Sequence, residues 1–212
     1  KCTIHNWRMV SDGMNTKPAS PDEVESWDSD PAGMMEYYKN QPYTLGQSIA
    51  DIVDNSYDAN AKRIDVEIQF DPSSEDKPYI VIFDDGDGIS DEQMKSALRL
   101  GVRRNRSETE LGVFGIGMKL SSLAQANEVT IYSKKDGKIA IRRISASHIS
   151  EHNIAEVLKF HSGSSAFEAC EDTFIEGDWS TMILLEDLHG ARRFMSMNKS
   201  LQDSLSGEIK KI

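Results

Sequence analysis

The stretch "IADIVDNSYDANAK", residues 49–62, is amphipathic at helical spacing and runs at once into "RIDVEIQF", residues 63–70, where the apolar period drops to two. A helix that feeds a half-buried strand with almost no linker restricts the chain to architectures in which helices cover a sheet. The helix is expected from about Thr44 to Ala61, with Thr44 as its cap. At about 100° per residue, Asp51, Asn55, Asp58 and Lys62 fall within a stripe roughly 60° wide, and Ile49, Ile52, Val53 and Ser56 lie opposite. A solvated face is the ordinary explanation for such a stripe. The rest of the chain has to decide whether it is more.

Ile64, Val66, Ile68 and Phe70 alternate with polar residues, and "DPSSEDKP" then turns the chain into "YIVIFDD", a more apolar and therefore more central strand. Ser90 with Gln93 three residues on is a capping-box pattern that predicts a short helix. "GVRRNRSETELGVFGIG" has no period and is read as loop. A helix from Met118 to Ala126, a strand "EVTIYSK", an Asp136-Gly137 hairpin turn and a returning strand "KIAIRRIS" follow. Residues Ser147 to Gly177 carry only weak signal and are expected to form an irregular insertion. "STMILLEDL" is again a strand, and residues 193–206 have a helical pattern. The expected fold class is α+β: a mixed, mostly antiparallel sheet with helices packed on one face, a two-layer sandwich. Residues 1–33 are expected to be an acidic extension, 34–192 the folded domain, and 193–212 a helix leading toward a region beyond this chain.

A length of 212 residues suits one domain, and 38% hydrophobic with 28% charged residues is ordinary for a globular protein. No apolar run nears the roughly 20 residues of a membrane span, so the chain reads as cytoplasmic, or nuclear if eukaryotic. The formal charge of −11 argues against broad docking of this segment on nucleic acid or anionic lipid; Arg103, Arg104 and Arg106 form the one basic cluster. Cys2 and Cys170 have no CxxC partner and are expected to be thiols. The start at Lys1 and the stop at "GEIKKI" suggest a piece of a longer protein.

Two further clusters bear chemistry. "DDGDGIS", Asp84 to Ser90, closes the central strand with two glycines that permit close approach and a carboxylate able to accept from a buried amine. It lacks the ligand spacing and terminal Glu of a calcium loop. "LGVFGIGMKLSSLA" brings Gly112, Gly115 and Gly117 in front of a helix amino end, where exposed N–H groups and the helix dipole favour phosphate, with Lys119 in the first turn. It is neither a Walker A loop nor GxGxxG; by itself it reads equally as a glycine-rich hinge. "HISEH", His148 to His152, has the order of an inverted zinc-protease motif but no clear third ligand.

Taken in order, a helix with D-x-x-x-N, a strand ending in DxGxG, GxxGxG opening a helix, and a late strand with Ser180-Thr181 resemble the Bergerat nucleotide-binding fold of the GHKL superfamily: gyrase, the heat-shock chaperone, histidine kinases and MutL. "DNSYDANA" is most similar to the MORC and MutL types, and the resemblance covers about residues 44–187.

The resemblance implies ATP and Mg²⁺ as cofactors. Asn55 would ligate the metal, Asp84 would accept from the adenine amino group with Thr181 beside it, and Gly86 and Gly88 would give room near the base. Gly112, Gly115, Gly117, the following amides at Met118 and Lys119, and the Lys119 ammonium would hold phosphate oxygens. Asp58 would be structural. The family places Glu four residues before the metal-binding Asn as the base for the attacking water, and this chain has Asp51 instead. The segment from Asp87 to Gly112 corresponds to the ATP lid, whose arginines would reach a phosphate or a partner subunit or simply be solvated. In relatives, closure of this lid drives dimerisation, so a nucleotide-gated clamp that forms an ATP-dependent homodimer within a larger protein is the mechanism implied. A regulatory ATP switch without useful hydrolysis and a histidine-kinase-type catalytic domain are the alternatives.

Overall fold

The capping box at the start of the second helix is formed as the sequence dictates: Gln47 N donates to Thr44 Oγ1 at 3.2 Å, and Thr44 N donates to Gln47 Oε1 at 3.0 Å. The computed structural model of the chain describes residues 30–69, 77–98, 116–159 and 165–189. Twelve elements follow in chain order: α1 (Pro31–Lys39), α2 (Leu45–Asp58), β1 (Ile64–Gln69), β2 (Tyr79–Asp84), α3 (Asp91–Leu98), α4 (Ile116–Leu123), β3 (Ala126–Lys135), β4 (Lys138–Ser145), α5 (Ala146–His152), β5 (Leu158–Lys159), α6 (Ser165–Glu176) and β6 (Thr181–Leu188). The strands form one sheet in the order β1-β2-β6-β3-β4-β5, and every pairing is antiparallel. The class is α+β and the layout is that of the Bergerat fold.

Strand alternation divides the apolar residues between two faces. Ile80, Ile82, Ile131, Ile183 and Leu185 point to one side, where Ile49 and Ile52 of α2, Met118 and Leu123 of α4, and Ile149 of α5 complete the main core. Val81, Phe83, Tyr132, Met182 and Leu184 point to the other, and α6 covers them with Phe167, Cys170 and Phe174. Helices therefore pack on both faces rather than one. The reason lies in β2 and β6, whose consecutive apolar residues leave neither side polar enough to face water.

Several sequence expectations hold to within a residue or two, including β1 with its half-buried and exposed alternation, β2, the Ser90–Gln93 box at α3, β4 and β6. At the β3–β4 turn, Asp136 and Gly137 both have positive φ, 51° and 72°, the backbone of a two-residue turn matched to strand twist. Helix α4 starts at Ile116 rather than Met118 and ends at Leu123, and Ala126 already belongs to β3. The segment expected to be irregular, Ser147 to Gly177, instead holds most of α5, then β5, then α6. Helix α1 lies across the expected boundary at residue 33. Asp30 caps it by accepting from Gly33 N at 3.1 Å, Pro31 occupies its first turn, and it packs on α5 and α4. The helical pattern at 193–206 and the loop at 101–115 lie outside the described residues. Among the described residues, no helix is long and apolar enough to cross a membrane.

Candidate functional site

Asp84 ends β2 and Thr181 opens β6, and the two are direct partners in the antiparallel register. Helix α2 crosses the same end of the sheet and turns Ser56, on its buried face, toward them. Ser56 Oγ donates to Asp84 Oδ2 at 2.9 Å, Gly86 N donates to Oδ1 at 3.0 Å, and the Thr181 hydroxyl also bonds the carboxylate. Thr181 Oγ1 lies 3.0 Å from Ser133 Oγ, which accepts from Ile89 N at 2.8 Å. Asp84 is 3% exposed. Burial pushes its pKa upward, opposed by the Gly86 amide and the Ser56 hydroxyl; the neighbouring Asp85 charge adds to the rise, and the Thr181 hydroxyl works against it. Among the described residues no cation pairs with Asp84, and every donor around it is neutral. Such a carboxylate is suited to accept from one further neutral N–H group.

The loop after β2 is tied to the end of α2. Asp85 accepts from Lys62 N at 2.7 Å, from Arg63 N at 2.8 Å and from Arg63 Nε at 3.1 Å, and the two backbone bonds hold its carboxyl below the usual range. Asp87 N donates to Ala59 O at 2.8 Å, and Asn60 Nδ2 donates to Asp87 Oδ2 at 2.8 Å. The glycines make this closeness possible. A Cβ on Gly86 would lie 2.6 Å from Ala59 O, and one on Gly88, at φ +66°, would lie 2.2 Å from Lys134 O. The helix–loop contact and the loop–β3 contact thus require glycine at both positions, whatever room they also leave for a ligand.

On α2, Asp51 and Asn55 are half-buried and Asp58 is exposed; the helix ends at Asp58, so Lys62, also exposed, lies beyond it rather than on the expected helical stripe. Asn55 Nδ2 donates to Asp51 O, one turn back, which commits the amide nitrogen and leaves Oδ1 as the atom available to a hard cation. Asn55 directly precedes Ser56, so the cation-competent oxygen and the buried Asp84 carboxylate are linked through one residue of helix. Helix α4 packs against α2, and Gln125, just past its end, donates to Tyr43 O at 3.1 Å and Ser48 Oγ at 3.0 Å. Gly117 lies in the first turn of α4. Met118 is 1% exposed and its side chain belongs to the main core, so it can offer a ligand only its backbone. Lys119 is 7% exposed. Gly112, Gly115, Arg103, Arg104 and Arg106 lie outside the described residues.

The residues present fit a magnesium–adenine nucleotide in chemistry: a buried carboxylate held only by neutral donors for an exocyclic amine, an amide oxygen for the metal, and a helix amino end alongside. Sequence reasoning missed the supporting cast. Ser56 registered only as a residue opposite the polar stripe, and Ser133, Asp85 and Asn60 were not singled out. A small hydroxyl on an otherwise apolar helix face is the one signal by which the sequence could have marked Ser56.

At the other candidate cluster, the His148 and His152 rings of α5 lie with centroids 4.4 Å apart, and His148 Nε2 is 3.3 Å from Glu156, not Glu151. Among the described residues no group of three ligating side chains is placed to hold a metal.

Residues 43–175 match the family described as Histidine kinase-, DNA gyrase B-, and HSP90-like ATPase. ATPase MORC2 of Homo sapiens is 26% identical over 113 residues, 52% of this chain and 11% of that protein. MORC family CW-type zinc finger protein 1 of Homo sapiens is 27% identical over 114 residues, 52% of the chain and 12% of the relative. ATPase morc-1 of Caenorhabditis elegans is 32% identical over 98 residues, 46% of the chain and 11% of the relative. The chain thus spans only about a tenth of the length of the curated relatives it matches. With the family matched over more than half of its length and the motifs in their expected order, the chain belongs to the GHKL superfamily as a MORC-like, histidine kinase-, gyrase B- and HSP90-like ATPase domain.

Proposed function

We propose that this domain binds ATP with Mg²⁺ between α2, the β2–β6 end of the sheet and the amino end of α4, hydrolyses it slowly, and serves as a nucleotide-gated dimerising clamp in a longer protein. The observation that carries the reading is the buried Asp84 carboxylate, held by Ser56, Gly86 and Thr181 with no cationic partner among the described residues. Asp84 would accept from the adenine amino group, and Thr181 would steady it. Asn55 would give its Oδ1 to the metal, while the amides of Gly112, Gly115, Gly117 and Met118 and the Lys119 amide and ammonium would take phosphate oxygens. Magnesium, when bound, would draw negative charge from the triphosphate. Asp51, one turn before Asn55, would orient the attacking water and accept its proton.

A non-hydrolysing switch is favoured by one feature, the short Asp51 side chain where the family has Glu. Calorimetry with a non-hydrolysable ATP analogue and Mg²⁺, phosphate release, and sizing with and without the analogue test the reading together. Saturable binding, slow release lost in Asp51→Asn with binding kept, and a nucleotide-dependent dimer are expected. Binding without any release in the parent would leave only the switch. An absence of heat with every adenine nucleotide would remove both.

A further inference from the structure

On the main-core face of the sheet, away from Asp84, residues of α3, β4, α5 and β5 line a half-open cavity of about 350 Å³. Its walls include Leu98, Ile144, Ile149 and Val157, and three cations converge on it: Lys95, Arg142 and Lys159. The setting is unusual in a chain whose formal charge is −11. Arg142 is 7% exposed and projects from the middle of β4 into this space; Lys159 is its direct partner across the β4–β5 register. Side chains paired in this way stand on the same side of the sheet, and like charges directly opposite repel.

The carboxylates nearby do not balance the three cations. Asp91, at the first position of α3, pairs with the Arg142 guanidinium. Arg142 Nη1 donates to Ile141 O at 2.8 Å, so with the Asp91 bond two of its five N–H donors are committed. Glu156, which with Asp91 also lines the cavity, lies 3.3 Å from His148 Nε2, so three cations face two carboxylates and the lining keeps one positive charge in excess. Lys95 and Lys159 are exposed at the mouth, and no carboxylate among the described residues forms an ion pair with either.

We infer that this cavity is a second ligand site, independent of the nucleotide site, that binds a small amphipathic monocarboxylate, its hydrocarbon body against Leu98, Ile144, Ile149 and Val157 and its carboxylate among Arg142, Lys95 and Lys159. The volume is that of a small-molecule pocket, and here five apolar and five charged residues share the lining, so a ligand with an apolar body and one charged end would be set in orientation. Arginine's planar fork matches a carboxylate. Four apolar walls leave a multiply charged, fully hydrated anion such as inorganic phosphate poorly matched. The bound anion would also relieve the repulsion between Arg142 and Lys159.

The test is calorimetric titration of the whole chain with sodium octanoate, with octanol as the uncharged control. Saturable one-to-one binding of octanoate, with octanol at least tenfold weaker, is expected. Lys95→Glu and Lys159→Glu should each weaken binding tenfold or more, and Ala155→Trp, at an exposed lining position, should abolish it by filling the mouth. All three positions are exposed, so unchanged circular dichroism and melting of the variants would show that folding is not the cause. The inference is overturned by an absence of saturable heat, by equal binding of octanol, or by variants that bind like the parent. Retained binding of a non-hydrolysable ATP analogue in these variants would separate this site from the nucleotide site.

Discussion

Ser56 Oγ donates to Asp84 Oδ2 at 2.9 Å and thereby joins α2 to the end of β2 across 28 residues of chain. Both side chains are almost wholly buried, Ser56 at 2% and Asp84 at 3%. The bond therefore contributes twice: it fixes the helix on the sheet, and it points the carboxylate whose other oxygen accepts from Gly86. Removing the hydroxyl leaves a buried carboxylate short of a donor. Ser56→Ala is expected to lower the unfolding free energy by about 1–3 kcal/mol, read from urea denaturation followed by circular dichroism. A change below about 0.5 kcal/mol would mean that water or another donor replaces the serine without cost.

The raised pKa of Asp84 gives a pH dependence with a definite sign. Because burial lifts its native value above the ordinary 3.8, the native state binds the Asp84 proton more tightly than the unfolded chain does. This residue's contribution to stability therefore becomes more favourable as pH falls through the native value, and levels off below the unfolded one. A ligand that donates an N–H to the ionised carboxylate has the opposite preference. Adenine nucleotide affinity should fall as pH drops through the same window, which opens above the usual aspartate range. Comparing the chain with Asp84→Asn by urea unfolding at several pH values should show a difference in slope confined to that window. Parallel curves would mean that Asp84 titrates as an ordinary surface carboxylate.

Most of what positions this site is legible in the sequence because it is local. Thr44 and Gln47 cap α2 from three residues apart, Ser90 and Gln93 do the same for α3, and Asp136-Gly137 makes its turn by itself. What is illegible is either weakly periodic or tertiary. Helix α5 has seven residues, and only Ile149 is buried among the residues assigned to its core face, so no stripe of apolar positions exists to be read. Helix α6 buries Phe167, Cys170 and Phe174 at helical i, i+3 and i+7 spacing, a short stripe that its interleaved acidic residues make resemble loop composition. Helix α1 carries its start signal, Asp30 before Pro31, inside an acidic Ser- and Pro-containing stretch whose composition overrides it. The Ser56–Asp84 bond and the packing of Gly88 on Lys134 have no sequence signature at all, since they depend on which strand lies next to which.

The two positive-φ glycines among the described residues should respond differently to a methyl group. Gly88 and Gly137 have similar φ, 66° and 72°, so the backbone strain of alanine is about the same at both, on the order of 1 kcal/mol. Their surroundings differ. A Cβ at Gly137 meets nothing within 4 Å, whereas one at Gly88 lies 2.2 Å from the Lys134 carbonyl oxygen, a backbone atom of the sheet that cannot step aside. Gly88→Ala should therefore destabilise by at least about 2 kcal/mol more than Gly137→Ala, and it should also displace the loop that carries Asp85 and Gly86. Melting temperatures of the two variants under one buffer decide the matter. Equal losses would show that the loop lifts off β3 without cost.

Asp51 offers the sharpest test of whether the domain is built to turn over. Its position is set by α2: Asn55 Nδ2 bonds the Asp51 carbonyl, so the two side chains leave the helix one turn apart on the same face, with Asp51 half-buried. Lengthening the side chain by one methylene moves the carboxylate outward by about 1.5 Å, and displacements of that order change positioned chemistry by up to about a hundredfold. If Asp51 acts as the water-orienting base, Asp51→Glu should raise steady-state phosphate release by about tenfold or more while leaving analogue affinity within about twofold. Asp51→Asn should reduce release to background with the same affinity. A rise in kcat confined to the glutamate variant would locate the limit in the reach of this carboxylate. Identical rates in the parent, glutamate and asparagine forms would take Asp51 out of the chemistry and leave the half-buried carboxylate as a structural feature of the helix.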